Sequence, residues 1–398
     1  MTDLHELTAL ALWQELQSER ISPRELVAHY LDRIDRLNPE LGAFVAVTRE
    51  QALARADEVA ERVPRSAPLW GLPSGDKDLW MRAGVRAGFG SRIMSGFVPE
   101  TSDEIVETLD AAGSVSLGKT NAPEFGLPAY TESLVAPPAR PHWNPALGAG
   151  GSSGGAAAAV ASGMLPFAPG SDGGGSVRIP AAACGLVGLK PTRGLVPAGS
   201  GIASLAGLVV DGPLARTAAD AALLLDGMIA RVGGRIDHHY TLRAPGDGDG
   251  AFLAAAVRGE GRFQLGVMTT SVWDDAYEIA LAPEARAALE LAVAKLAALG
   301  HGMEETALTP DPSYAPAFRT IWQAGGAHPG GGGGAGPPGA AHGVAGRARP
   351  GDRRARAERG AQRAHRVRAL VHPAARVVRR RAHTGSRDDA PPRRLVRP

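Results

Sequence analysis

Hydrophobic positions in the first sixty residues recur at helical spacing. Leu7, Leu10, Leu12 and Leu16 form one stripe. Ser22-Pro23-Arg24-Glu25 reads as the start of a second helix, with Ser22 as N-cap, Pro23 at the first helical position and Glu25 at N3. Leu26, Val27, Tyr30, Leu31 and Ile34 carry its apolar face, and Asn38-Pro39 is expected to end it. Residues 49–63 read as a third amphipathic helix. Further on, 69–80 reads as strand and loop, 102–112 as helix, 114–117 and 185–189 as short strands, and 216–229 as a helix starting near Thr217 or Ala218. A strand at 264–268, a long helix at 283–299, a strand at 303–308 and a helix-like segment at 314–322 follow. Helices alternate with strands and no internal repeat is visible, which argues for an α/β sheet protein.

One stretch departs from this rhythm. Between Gly148 and Pro180 two glycine-serine segments, 150–155 and 170–176, flank an apolar run from Ala156 to Met164. Glycines beside a serine allow a ligand to approach the backbone closely. A second break comes near Ala324. From 325 to 398 there are 17 Arg, 4 acidic residues and no Lys, Ile, Phe, Tyr, Trp, Met or Asn. Such a segment buries too little apolar surface to offset its ordering entropy, so disorder is expected there. A natural basic tail is one reading; a reading-frame shift in a GC-rich gene is the stronger one, because codons made of G and C encode mainly Arg, Ala, Gly and Pro, and the break also interrupts a fold in progress. The expected domains are therefore 1–324 and a tail, 325–398.

The formal charge of +2 conceals an acidic body and a basic tail. An acidic body gives no electrostatic reason to expect nucleic acid or an anionic membrane as partner. Cys184 is the one cysteine, which excludes an internal disulfide and a CxxC-type zinc site. The N-terminus lacks the basic start and apolar core of a signal peptide. No run reaches the ~18–20 apolar residues of a membrane helix. A cytoplasmic location is the expectation.

The chain holds only four lysines: Lys77, Lys119, Lys190 and Lys295. A lysine kept among arginines suits a task that requires losing a proton, which arginine does not do. Lys77 sits in Gly-Leu-Pro-Ser-Gly-Asp-Lys-Asp; the competing reading is an exposed loop lysine paired with Asp76 or Asp78. Lys119 completes a phosphate-loop pattern over 113–120, but the residues inside it alternate like a strand and Asn121-Ala122-Pro123 blocks a following helix, so nucleotide binding is disfavoured. Ser176 follows three glycines, and the successive N–H groups of Gly174, Gly175 and Ser176 are suited to an oxyanion hole. A serine nucleophile needs a base. Of the body histidines, His5 and His29 lie on N-terminal helices, and His142, His238, His239 and His301 sit in no recognisable catalytic setting, so a lysine is the better candidate.

These motifs resemble the amidase signature family. The resemblance rests on Lys77 in its Gly-Leu-Pro…Lys-Asp setting, Gly-Gly-Ser-Ser-Gly-Gly at 150–155 and Gly-Ser-Asp-Gly-Gly-Gly-Ser-Val-Arg-Ile-Pro at 170–180. Leu117 to Gly126, Cys184 to Thr192 and Gly212 to Asp220 match further elements, in order, across about 5–324. The resemblance implies an α/β amidase-signature fold, a central mixed sheet flanked by helices. It implies a Ser–cis-Ser–Lys triad in which Ser176 is acylated, Ser152 bridges after a cis peptide bond and Lys77 is the base. Gly173, Gly174 and Gly175 would hold the oxyanion. Arg178 would bind a substrate carboxylate or form a structural salt bridge. No cofactor or metal is implied.

The implied activity is hydrolysis of a small-molecule carboxylic amide through a serine acyl-enzyme, by a chain that can act as a homodimer. Two alternatives accompany it: the amidase subunit of a glutamyl-tRNA(Gln) amidotransferase, and an inactive truncated amidase. Gly173 stands where the family often has Thr, as in a subset similar to nylon-oligomer cyclic-dimer hydrolases, and Ala156 where Ser is frequent. Residues 325–398 do not match the family's C-terminal portion, so the fold is expected to be incomplete there.

Overall fold

The computed structural model describes residues 3–196, 207–229, 251–259, 261–309 and 311–326. His238, His239 and nearly all of the Arg-rich tail lie outside them. Over the described residues the chain forms two compact units, divided at Gly259 and Glu260.

The first unit contains α1 (Ala9–Gln17), α2 (Pro23–Leu41), β1 (Phe44–Val47), α3 (Arg49–Arg62), β2 (Pro73–Lys77), α4 (Glu104–Ala111) and β3 (Val115–Thr120). It continues with α5 (Gly154–Ala161), β4 (Phe167–Asp172), α6 (Arg178–Cys184), β5 (Val187–Gly188), β6 (Val210–Ala215), α7 (Ala218–Met228) and α8 (Ala251–Arg258). The second unit contains β7 (Gln264–Val267), α9 (Pro283–Ala298), β8 (Gly302–Glu305) and most of α10 (Tyr314–Gly326).

The expected capping box at Ser22 is present: its Oγ accepts from Glu25 N–H, and the Glu25 carboxylate accepts from Ser22 N–H at 2.8 Å. The helix does not stop at Asn38-Pro39. Pro39 forfeits one hydrogen bond near the end, and α2 runs on to Leu41. It ends at Gly42, whose φ of 57° is left-handed, while Asn38 exchanges two hydrogen bonds with the backbone of Phe44.

Three small sheets are present among the described residues, in the orders β1-β3-β2, β4-β6-β5 and β7-β8. The first is mixed, since β3 runs antiparallel to β1 and parallel to β2. The second is antiparallel throughout. β2 lies against β4, which brings the two sheets of the first unit side by side. Helices pack around them through one core that includes Leu12, Leu26, Leu72, Leu117, Phe167 and Leu224. The class is α/β. Among the described residues no helix is long and apolar enough to cross a membrane.

α5 fills the space beside the sheets. Every residue from Gly154 to Val160 is buried. A Cβ on Gly155 would meet Asn121 N at 2.2 Å, so only glycine lets the start of α5 approach the end of β3 this closely. The second unit pairs β7 and β8 in parallel, and Trp273 packs edge-on against Tyr314 and Phe318 of α10.

Candidate active site

Lys77 is the last residue of β2, and its neighbours on the strand face the other way. Asp76 turns to Arg82, with 2.5 Å between Arg82 Nε and its carboxylate, and Arg82 also holds Asp110 at 2.7 Å. Lys77 is therefore not a loop lysine paired with Asp76. It is fully buried, and its Nζ donates to Ser152 Oγ and Ser153 Oγ, both at 2.8 Å, and to Ser171 Oγ at 2.9 Å. Three hydroxyls thus meet the three protons of an ammonium. Burial lowers the Lys77 pKa to about 7, although the charges of Asp211 and Asp172 pull it upward.

The serines come from the loop that opens α5. The Gly151–Ser152 peptide bond is cis. Thr131, from the preceding loop, accepts from Gly154 N–H and donates to the Gly150 carbonyl, pinning the segment on both sides of the serine pair. The Ser153 N–H donates to the Ser176 carbonyl at 3.2 Å, joining the two serine segments. Ser176 itself is 6% exposed.

Residues 170–172, which read as loop from their composition, are the end of β4. The turn after it is organised by Asp172. Its carboxylate accepts from Gly175 N–H at 2.7 Å, Val177 N–H at 3.2 Å and the Arg178 guanidinium twice at 2.9 Å. Burial raises the Asp172 pKa, but Arg178 outweighs it and holds the carboxyl below the usual range. The Gly175 N–H, one of three expected oxyanion donors, is thus engaged by Asp172. Gly173 is half-buried and Gly174 exposed. Of the two readings open for Arg178, the salt bridge is the one present, on Asp172.

Lys119 lies on β3, buried, and donates to the Trp80 carbonyl. A strand residue facing a carbonyl is not a phosphate loop. His5 and His29 stack on each other at the N-terminal helices, with 3.3 Å between ring nitrogens, and His301 accepts from Phe263 N–H in the second unit. Burial pushes the Cys184 thiol up to about 12, which leaves it unreactive. Among the described residues no group of three metal-ligating side chains is present.

A family model described as amidase matches residues 25–329, well over half of the chain. The chain belongs to the amidase family. Among curated relatives, a glutamyl-tRNA(Gln) amidotransferase subunit of Chromohalobacter salexigens is 45% identical over 225 residues, 56% of this chain and 46% of that protein. Its counterpart in Acinetobacter baylyi is 42% identical over 230 residues, 57% of this chain and 47% of the relative. This chain therefore spans under half the length of the curated relatives it matches. Among solved structures, 6-aminohexanoate cyclic dimer hydrolase complexed with substrate aligns with a TM-score of 0.69 and 34% identity, over 81% of this chain and 66% of that one. A bacterial aryl acylamidase of the amidase signature family aligns with a TM-score of 0.70 and 28% identity, over 81% and 66%.

Several residues of this site carry no local signal. Ser171 and Ser153 are visible as serines, but their contacts with Lys77 depend on how β4 and the loop opening α5 lie against β2. Thr131 acts across more than twenty residues of loop, and Asp211 lies on β6, which no hydrophobic alternation announces.

Proposed function

We propose that this member of the amidase family hydrolyses a small-molecule carboxylic amide to a carboxylate and an amine or ammonia through a serine acyl-enzyme. The observation that carries the reading is Lys77, buried and donating to Ser152 at the point where the Ser152–Ser153 and Ser176 segments are tied together. Neutral Lys77 takes a proton from Ser152, and Ser152 takes one from Ser176 as its Oγ attacks the carbonyl carbon. The resulting oxyanion is held by N–H groups of the 173–176 turn. With Gly175 turned to Asp172, the donors are those of Gly173, Gly174 and Ser176. The proton on Lys77 returns through Ser152 to the leaving nitrogen as the C–N bond breaks. Water then attacks the acyl-enzyme by the same relay, releasing the acid and restoring Ser176.

Covalent labelling by a serine-reactive fluorophosphonate tests this. Mass spectrometry is expected to place the adduct on Ser176, and Ser176→Ala to abolish it. An adduct elsewhere, or labelling unchanged in Ser176→Ala, removes the assignment.

The identity to glutamyl-tRNA(Gln) amidotransferase subunits favours a second reading, in which the chain works within an amidotransferase. Ammonia release from simple amides by the chain alone supports the hydrolase. Release that requires an added partner supports the amidotransferase.

A further inference from the structure

We propose that Asp211 is a positioning residue for Lys77: its carboxyl, opposite Ser171 across the β4–β6 ladder, sets how readily Lys77 gives up and takes back its proton. This rests on the reading of Lys77 as the base.

The placement follows from register. Asp211 on β6 pairs with Ser171 on β4. Directly opposed residues of an antiparallel pair project from the same face, with Cβ atoms about 4.5–5.5 Å apart. Ser171 Oγ is 2.9 Å from Lys77 Nζ on that face. Asp211 is buried, 7% exposed, so little water screens its charge from the ammonium. The two groups do act on each other: Asp211 raises the proton affinity of Lys77, and Lys77 lowers that of Asp211.

The other charges around the pair are accounted for. Asp172, on β4, also raises Lys77, but its carboxylate is neutralised by Arg178 and two backbone N–H groups. The charge of Asp103, ahead of α4, favours protonation of Asp211, while its carboxylate accepts from Met81 N–H. Burial acts oppositely on the pair, lowering Lys77 and raising Asp211.

The chemistry supplies a reason for a carboxyl here. A base in acyl transfer must take a proton and later return it, so its proton affinity should lie near the working pH. Burial by itself lowers the proton affinity of Lys77. Asp211 offsets that loss without contacting the reacting atoms.

The test uses the 398-residue chain, and the lysine count makes it tractable. With 13C- and 15N-labelled lysine only four side chains report, and the Lys77 signal is the one missing from Lys77→Met. In Asp211→Asn the Lys77 titration midpoint is expected to fall by about one pH unit, roughly tenfold in proton affinity. Asp211→Ser gives the same shift should the asparagine variant fail to fold. An unchanged midpoint in the folded variant overturns the proposal. Fluorophosphonate labelling of the same proteins between pH 5 and 9 tests the underlying reading separately. If Lys77 is the base, the acid limb of the labelling rate moves down with the midpoint. If the midpoint moves and the labelling rate does not follow, Asp211 still tunes Lys77 but Lys77 is not the base.

Discussion

Lys77 Nζ and Ser152 Oγ lie 2.8 Å apart, although 75 residues of sequence separate them. The lysine arrives on a buried strand and the serine on the loop that opens a buried helix. The contact gives burial a chemical outlet, since a lysine titrating near 7 spends part of its time as a neutral amine at neutral pH. Serine labelling should therefore be slow in acid, rise as pH passes through about 7 and level off above it. Lys77→Met removes the base, keeps the apolar stem and should slow labelling by about 10²–10⁴-fold while the protein still melts cooperatively. Lys77→Arg should not rescue it, because arginine keeps its charge. A flat pH profile would remove Lys77 from the mechanism.

Ser153 Oγ stands as close to Lys77 as Ser152 Oγ does, and it also accepts from Ser171 N–H at 3.3 Å. Its position therefore reads as a holder of the lysine and of β4, whereas Ser152 carries the proton. Ser152→Ala should abolish labelling. Ser153→Ala should leave labelling measurable and cost about 1.5–3 kcal/mol of stability, the range for a hydrogen bond to a charged group. The comparison needs only a denaturant melt and a labelling time course. Equal loss of labelling in both variants would mean that the two serines are not divided in this way.

Much of this was legible in the residues. The capping box at Ser22, the helix ending at Arg62 and the existence of strands β7 and β8 follow from local patterns, because each is decided by neighbours in sequence, whereas the parallel pairing of β7 with β8 is not. The strands beside Lys77 were not legible. β4 reads Phe-Ala-Pro-Gly-Ser-Asp and β6 Val-Asp-Gly-Pro-Leu-Ala, and both are rich in residues that strands usually avoid. They hold because Pro169 and Pro213 sit opposite each other in one register and both strands are buried along their length. The lysine and serines were visible as residue types, but the carboxylates that tune them, Asp172 and Asp211, become evident only from the register and the turn.

Asp172 fixes the turn that carries Ser176. Its carboxylate is 1% exposed and serves two backbone N–H groups and the Arg178 guanidinium. Asp172→Ala leaves those buried donors unmatched, at about 1–3 kcal/mol for each one that finds no water. The turn should loosen, so labelling of Ser176 should fall even at temperatures well below the melt. Arg178→Ala should be milder, because the Arg178 side chain is 54% exposed and water takes over much of its role. If Arg178→Ala instead weakens binding of carboxylate-bearing amides while labelling is unchanged, Arg178 contacts substrate after all.

Arg82 tests how far the strand carrying Lys77 depends on buried charge. It bridges Asp76, 1% exposed, and Asp110, while Ser116 adds a 3.0 Å hydrogen bond to Asp76. Burial raises Asp76, but Arg82 outweighs it, so the carboxyl sits below its usual range. A depressed carboxyl stabilises the fold above its unfolded value of about 3.9, and that contribution fades as pH falls through the folded value. Arg82→Ala strands a buried carboxylate and should cost about 3–5 kcal/mol near pH 7. Acid protonates Asp76 in the variant first and relieves it, so the stability gap to the unaltered chain should narrow as pH drops toward 4. Paired urea melts at pH 7 and pH 4 measure this. A gap that stays constant or widens in acid would mean that Arg82 acts through packing of its stem and not through the charge on Asp76.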